Sequence, residues 1–208
     1  VRDYPDTNLK QLVPLKRLNY LSLEDTVDSD SIISTDKDKI RVKDYSAISV
    51  MSGLKSLYLN SDIIKDIGFI KGLPALEDLT LEDTAVISLA SLSEMPALRS
   101  LTLLGNNKVQ DFGPVGTAPG LTSLSIDKMT SQPDPDLSSL SSLEKLDIKG
   151  FMSISSVRGL SGLKELSIHN CNVDQADALS SLTGVERLTF YSVWNSQGNL
   201  RSLDFLKG

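Results

Sequence analysis

One motif recurs along this chain at nearly constant spacing, and it leaves few folds open. LKSLYLNSD, LEDLTLEDT, LRSLTLLGN, LTSLSIDKM, LEKLDIKGF, LKELSIHNC and VERLTFYSV all read L-x-x-L-x-L, with Ile, Val or Phe as occasional substitutes. LKRLNYLSLEDT carries the same pattern near the start. The opening residues Leu18, Leu54, Leu76, Leu98, Leu121, Leu143, Leu163 and Val185 lie 36, 22, 22, 23, 22, 20 and 22 residues apart. A fixed period of this size belongs to stacked-repeat architectures.

Within x-L-x-L-x, alternate residues face opposite sides of a strand. The leucines point inward and the intervening residues line an exposed face. A single repeat cannot bury its leucines alone, so neighbours stack into one parallel sheet. This predicts one strand within each of 18–24, 54–60, 76–82, 98–104, 121–127, 143–149, 163–169 and 185–191. The return legs show apolar residues three apart, as in Ile64, Ile67, Ile70 and Leu73, or Val86, Leu89, Leu92 and Met95. That step suits 3₁₀ turns better than long helices. Strands at roughly 4.8 Å stack more tightly than bulky return legs, so the sheet is expected on the concave side.

The 22-residue period and the return-leg pattern resemble leucine-rich repeats of the bacterial internalin-like class. They are also similar to the repeats of phosphatase-regulatory leucine-rich proteins. The resemblance implies a leucine-rich repeat horseshoe or arc, an α/β-type solenoid with little α-helix, over residues 1–208 as a single domain. About eight full repeats, partial repeats at both ends and an insertion at about 27–41 make up that reading. Leu9, Leu12, Leu15 and Leu18 match Ile67, Ile70, Leu73 and Leu76, and NLRSLDFLKG matches IIKDIGFIKG. A longer parent protein is therefore expected.

LKELSIHNC holds the only histidine and the only cysteine, His169 and Cys171. Such a pair invites a nucleophilic or metal-site reading. The repeat argues against it, because His169 points outward while Cys171 occupies the inward slot that the family fills with asparagine. The same slot holds Thr26, Asp62, Thr84, Asn106, Met129, Phe151 and Val193. A single cysteine also leaves no internal disulfide framework.

Three outward columns are predicted. The first runs Tyr20, Ser56, Asp78, Ser100, Ser123, Lys145, Glu165, Arg187, and the second Ser22, Tyr58, Thr80, Thr102, Ser125, Asp147, Ser167, Thr189. The third is Glu24, Asn60, Glu82, Leu104, Asp127, Lys149, His169, Tyr191. Aromatic residues and arginine dominate protein-binding hot spots. The candidate site is therefore Tyr58, Glu82, Leu104, Asp127, Lys149, His169, Arg187, Tyr191 and Trp194. Trp194, the sole tryptophan, reads equally well as packing a small insertion onto the solenoid.

Net charge is −6 and pI about 4.8, which does not suit a nucleic-acid partner. No stretch reaches the roughly 20 apolar residues of a membrane span. Enzyme motifs are absent, and no cofactor or metal is called for. In the insertion VDSDSIISTDKDKIR, Asp28, Asp30, Asp36 and Asp38 lack the turn glycine and distal glutamate of a calcium loop. SQPDPD, residues 131–136, reads as turn chemistry. The expectation is a monomeric, non-enzymatic recognition module of a bacterial surface or secreted protein, binding a protein ligand on the concave face. The alternative is a cytoplasmic scaffold that holds an enzyme partner.

Overall fold

A computed structural model describes residues 9–24, 42, 44–106, 108–109, 111–128, 133–196 and 198–199. Thr26, Met129, the insertion at 27–41, residues 131–132 of SQPDPD and the tail after 199 lie outside the described residues. Among the described residues, eight five-residue strands form one sheet in the order β1 to β8. They are β1 (Tyr20–Glu24), β2 (Ser56–Asn60), β3 (Asp78–Glu82), β4 (Ser100–Leu104), β5 (Ser123–Asp127), β6 (Lys145–Lys149), β7 (Glu165–His169) and β8 (Arg187–Tyr191). Every adjacent pair is parallel and in register, so that Leu57, Leu79, Leu101, Leu124, Leu146, Leu166 and Leu188 form one row. All eight predicted strands are present.

The central strands use their period of two as expected, whereas β8 is exposed or half-buried throughout and Asn60, expected outward at the end of β2, is buried. Leu79, Leu81, Leu101 and Leu103 are buried, and Asp78, Thr80, Glu82, Ser100, Thr102 and Leu104 are not. The return legs carry 3₁₀ turns at Ser46–Val50, Gly68–Gly72, Ala90–Glu94, Ile154–Val157 and Ala176–Ser181. A four-residue α-turn, Gly113–Gly116, starts with Pro114 inside its first turn. Their apolar residues close the core from the other side: Ile67, Ile70, Leu89 and Leu92 are all 1% exposed or less. Adjacent legs stack closely. A Cβ on Gly72 would lie 2.1 Å from the Ser49 carbonyl oxygen, so no larger residue fits there.

The chain leaves each strand through a tight corner. Asp83, Gly105, Gly150, Asn170 and Ser192 each follow a strand directly and have φ between 47° and 78°. Glycine enters this left-handed region freely, and Asn and Asp tolerate it better than other residues. Backbone bonding continues through the corners, with the Asp83 amide donating to the Leu104 carbonyl at 2.8 Å and the Asn170 amide to the Tyr191 carbonyl at 2.8 Å.

Two inward assignments fail. Leu15, matched to Leu73 by the repeat, is 53% exposed, because no described repeat stacks beyond the first leg. Asp62 stays exposed while Ser61 is fully buried. Ser61 is not among the residues with positive φ, and the different corner turns the neighbouring side chain inward instead. At the opposite edge, Leu188 is 39% exposed, since among the described residues β8 has a strand neighbour on one side only.

Candidate functional site

The register reproduces all three predicted columns. His169 pairs with Tyr191 across β7 and β8, and with Lys149 across β6 and β7. Lys149 in turn pairs with Asp127, and Asp127 with Leu104. The His169 and Tyr191 rings lie 5.9 Å apart at a tilt of 43°. Tyr191 is 66% exposed at this end of the open face.

The charged candidates are paired rather than free. Lys149 Nζ lies 2.7 Å from Asp127 Oδ2, and Arg187 Nη1 lies 3.0 Å from Glu165 Oε1. Glu165 also receives Lys145 at 3.3 Å, and His169 Nε2 is 3.6 Å from Asp147 Oδ1. Burial pushes the Asp147 carboxyl above its usual value, with His169 pulling the other way. Tyr58 donates to Glu82 Oε2 at 2.6 Å; desolvation and that bond raise its phenol. Exposed ion pairs of this kind contribute little stability, but they fix side-chain positions. A sequence signal for them existed: opposite charges one repeat apart, as in Lys149 with Asp127 or Arg187 with Glu165.

Trp194 lies in neither of two separate worlds. Trp194–Asn195 (β9) pairs antiparallel with Gly198–Asn199 (β10). The Trp194 amide donates to the Cys171 carbonyl at 3.0 Å, and the Val173 amide donates to the Trp194 carbonyl at 2.9 Å. Asp174 holds the hairpin by accepting the Ser196 amide at 3.0 and 3.1 Å, which keeps its carboxyl below the usual range. Trp194 therefore packs onto the solenoid and also walls an open groove. That groove, of about 350 Å³, is lined by Asp127, Lys149, Met152, Asn170 and Trp194 among others. Met152 is 57% exposed.

Sequence reasoning missed the support beneath this groove. Lys128 Nζ lies 2.6 Å from Asp134 Oδ1, with both side chains nearly buried. Asp134 also accepts the amides of Met152 at 3.1 Å and Ser153 at 2.7 Å. The Phe151 ring sits 5.9 Å from Lys128 Nζ. Asp134 thus staples one return leg to the next repeat.

His169 and Cys171 diverge. Cys171 is fully buried, and its thiol is pushed up to about 11 by desolvation. Its Sγ lies 3.1 Å from the His169 carbonyl and 3.7 Å from that of Ile148, and accepts the Phe151 amide at 3.3 Å. Among the described residues no group of three or more His, Cys, Asp or Glu is placed to hold a metal ion. No helix among them is long and apolar enough to cross a membrane.

No protein-family model and no curated protein matches the chain. Among solved structures, an internalin (inlF) from Listeria monocytogenes superposes with a TM-score of 0.64 at 25% identity. The chain is an internalin-like leucine-rich repeat solenoid. The match covers 91% of this solenoid and 52% of that internalin, so the chain spans about half of its length. A second internalin (inlC2) from the same organism gives a TM-score of 0.55 at 18% identity, over 72% of this chain and 74% of that one. A plant peptide hormone receptor, RGFR1 in complex with RGF2, gives 0.56 at 17% identity, over 89% and 30%. The lower identities carry the leucine-rich repeat fold alone.

Proposed function

We propose that this solenoid is a protein-recognition module of a bacterial surface or secreted protein, and that its ligand lies on the open face of the sheet. One observation carries the reading. The outward columns keep register over eight strands, giving a rigid, hydroxyl-rich floor of Ser22, Thr80, Thr102, Ser125, Ser167 and Thr189. The floor ends in exposed Tyr191 and half-buried Trp194. Large, rigid aromatic side chains beside small ones provide contact area at little entropic cost. Tyr58, Glu82, Leu104, Asp127, Lys149, His169, Arg187, Tyr191 and Trp194 make up the proposed footprint. Their ion pairs orient a partner more than they add affinity.

The test is a substitution panel against a partner isolated by affinity capture. Tyr191→Ala and Trp194→Ala are expected to cost at least about 1 kcal/mol of binding. Control changes on the return legs, such as Ser93→Ala and Ser180→Ala, should have no effect. Loss of binding only from return-leg changes would reject the open-face site.

A further inference from the structure

We propose that the groove beside Trp194 anchors one aromatic side chain of the partner, carried on an extended stretch of its chain. The proposal rests on the open-face reading and names the partner's chemistry at the rim of that face. The groove, of about 350 Å³, opens at the ends of β5, β6 and β7, next to the β9–β10 hairpin. Ligand clefts run from roughly 300 to 1,000 Å³, so this one suits a single large side chain with its flanking peptide groups. Its apolar lining is fixed through the main chain. Phe151 is fully buried, and the Asn172 amide donates to its carbonyl at 3.0 Å. The Met152 amide donates to Asp134 at 3.1 Å, and the Trp194 amide to the Cys171 carbonyl at 3.0 Å. The Met152 side chain is nonetheless exposed. At the matching positions of other repeats Ala85 is buried, and Asn172 and Trp194 are half-buried. A flexible thioether left in water beside a preformed cleft is a feature of adaptable binding surfaces.

Two further observations name the occupant. The charges along the groove are closed on themselves, with Lys128 paired to Asp134 at 2.6 Å and Lys149 to Asp127 at 2.7 Å. A charged side chain entering there must break one of these pairs or stay uncompensated, whereas a neutral one leaves both intact. Asn170 supplies the second observation. It lines the groove and is exposed, and its carboxamide makes no hydrogen bond to a described residue. A carboxamide offers a donor and an acceptor side by side. That is the complement of a peptide group, so Asn170 recognises main chain on either side of the anchored residue. Among neutral apolar residues the aromatic ones gain most. An indole and a thioether line the groove; ring pairs contribute beyond the area they bury, and sulfur favours contact with ring edges. Leucine gains only the area.

The probes are acetylated, amidated pentapeptides with phenylalanine, leucine, lysine or glutamate between two glycine pairs. Trp194 is the only tryptophan, so one indole N–H signal in NMR spectra reports the groove directly. The phenylalanine peptide is expected to bind with a Kd of about 1 mM, shifting that signal together with the amides of Gly150, Met152 and Asn170. The leucine peptide should bind about threefold more weakly, and the lysine and glutamate peptides about tenfold or more. Met152→Ala and Asn170→Gly should each weaken the phenylalanine peptide by about fivefold. Glycine at 170 keeps the left-handed corner, where φ is 50°. Ile87→Ala removes another exposed apolar side chain from a different return leg and should change binding by less than about 1.5-fold. Equal losses from Ile87→Ala and Met152→Ala would mean unspecific adhesion and overturn the proposal. So would equal affinity for all four peptides, or an indole signal that none of them moves up to about 10 mM. Binding seen only after residues 130–132 are replaced by glycine would also overturn it, because the chain's own segment would then be the occupant. A phenylalanine peptide that does not bind, while Tyr191→Ala still weakens the whole partner, removes this proposal alone. A whole partner insensitive to Tyr191→Ala, His169→Ala, Met152→Ala and Asn170→Gly alike removes the open-face reading itself.

Discussion

At the scale of single residues, one inward slot shows how chemistry adapts to a fixed backbone need. Asn106 donates from Nδ2 to the Leu81 and Leu104 carbonyls at 2.6 and 2.9 Å, and its Oδ1 accepts the Thr84 amide at 3.1 Å. Cys171 meets the matching groups, the Ile148 and His169 carbonyls and the Phe151 amide. Sulfur is a weak donor and acceptor, so it satisfies the same three positions more loosely. This is why a histidine and a cysteine two residues apart do not form a chemical site. The thiolate is the reactive form, and a thiol at about 11 is almost wholly protonated at neutral pH. Cys171 is therefore expected to resist a thiol reagent at pH 8 in the folded protein and to react fully after denaturation. Rapid, stoichiometric labelling of the native protein would show that the slot is open and the thiol available.

At the scale of elements, the strands were legible because period-two patterning and a constant repeat act together. A register slip would expose every leucine of a strand at once. The columns followed from the strands, so the positions of eight of the nine candidate site residues were readable in advance, and Trp194, on a hairpin outside the columns, was not. What they touch was legible only in part: opposite charges one repeat apart signal pairs such as Lys149 with Asp127, but the Tyr58 bond to Glu82 and the tilt of His169 against Tyr191 depend on side-chain conformations that the repeat does not encode. The corners were the least readable part. Five take a left-handed residue, but Ser61 and Lys128 do not, and each departure creates local structure that the repeat does not encode. At Lys128 the result is the buried pair with Asp134, 8% and 13% exposed. Removing one partner of a buried pair strands the other, at a typical cost of 3–5 kcal/mol. Asp134→Ala should accordingly lower stability by about 3 kcal/mol in denaturant melts, since two backbone amides lose their acceptor as well. Glu77→Ala, which breaks the exposed Lys55 pair, should cost under about 1 kcal/mol. Similar losses in the two variants would show that the Lys128–Asp134 pair is solvated and does not staple the repeats.

At the scale of the molecule, stability is a property of neighbours. Every strand contacts only the ones beside it, so the solenoid behaves as a row of coupled units whose interfaces hold most of the free energy. Position along the row then matters as much as burial. Leu101 on β4 is 0% exposed, whereas its row-mate Leu188 on β8 is 39% exposed and, among the described residues, has a strand on one side only. Leu101→Ala should cost about 2–5 kcal/mol and, by weakening a central interface, should partly uncouple the two halves and broaden the unfolding transition. Leu188→Ala should cost well under about 2 kcal/mol, because part of that side chain is already in water, and it should leave the transition sharp. Hydrogen exchange gives the independent reading. Local opening ranges from near zero free energy at frayed ends up to the global value in the core. Amides of β3–β6 should therefore exchange slowest and those of β8 fastest, with Leu101→Ala accelerating the centre and Leu188→Ala only the last strand. Uniform protection from β1 to β8, unchanged in its pattern by either substitution, would mean that the solenoid opens as a single unit and that nearest-neighbour coupling does not govern it.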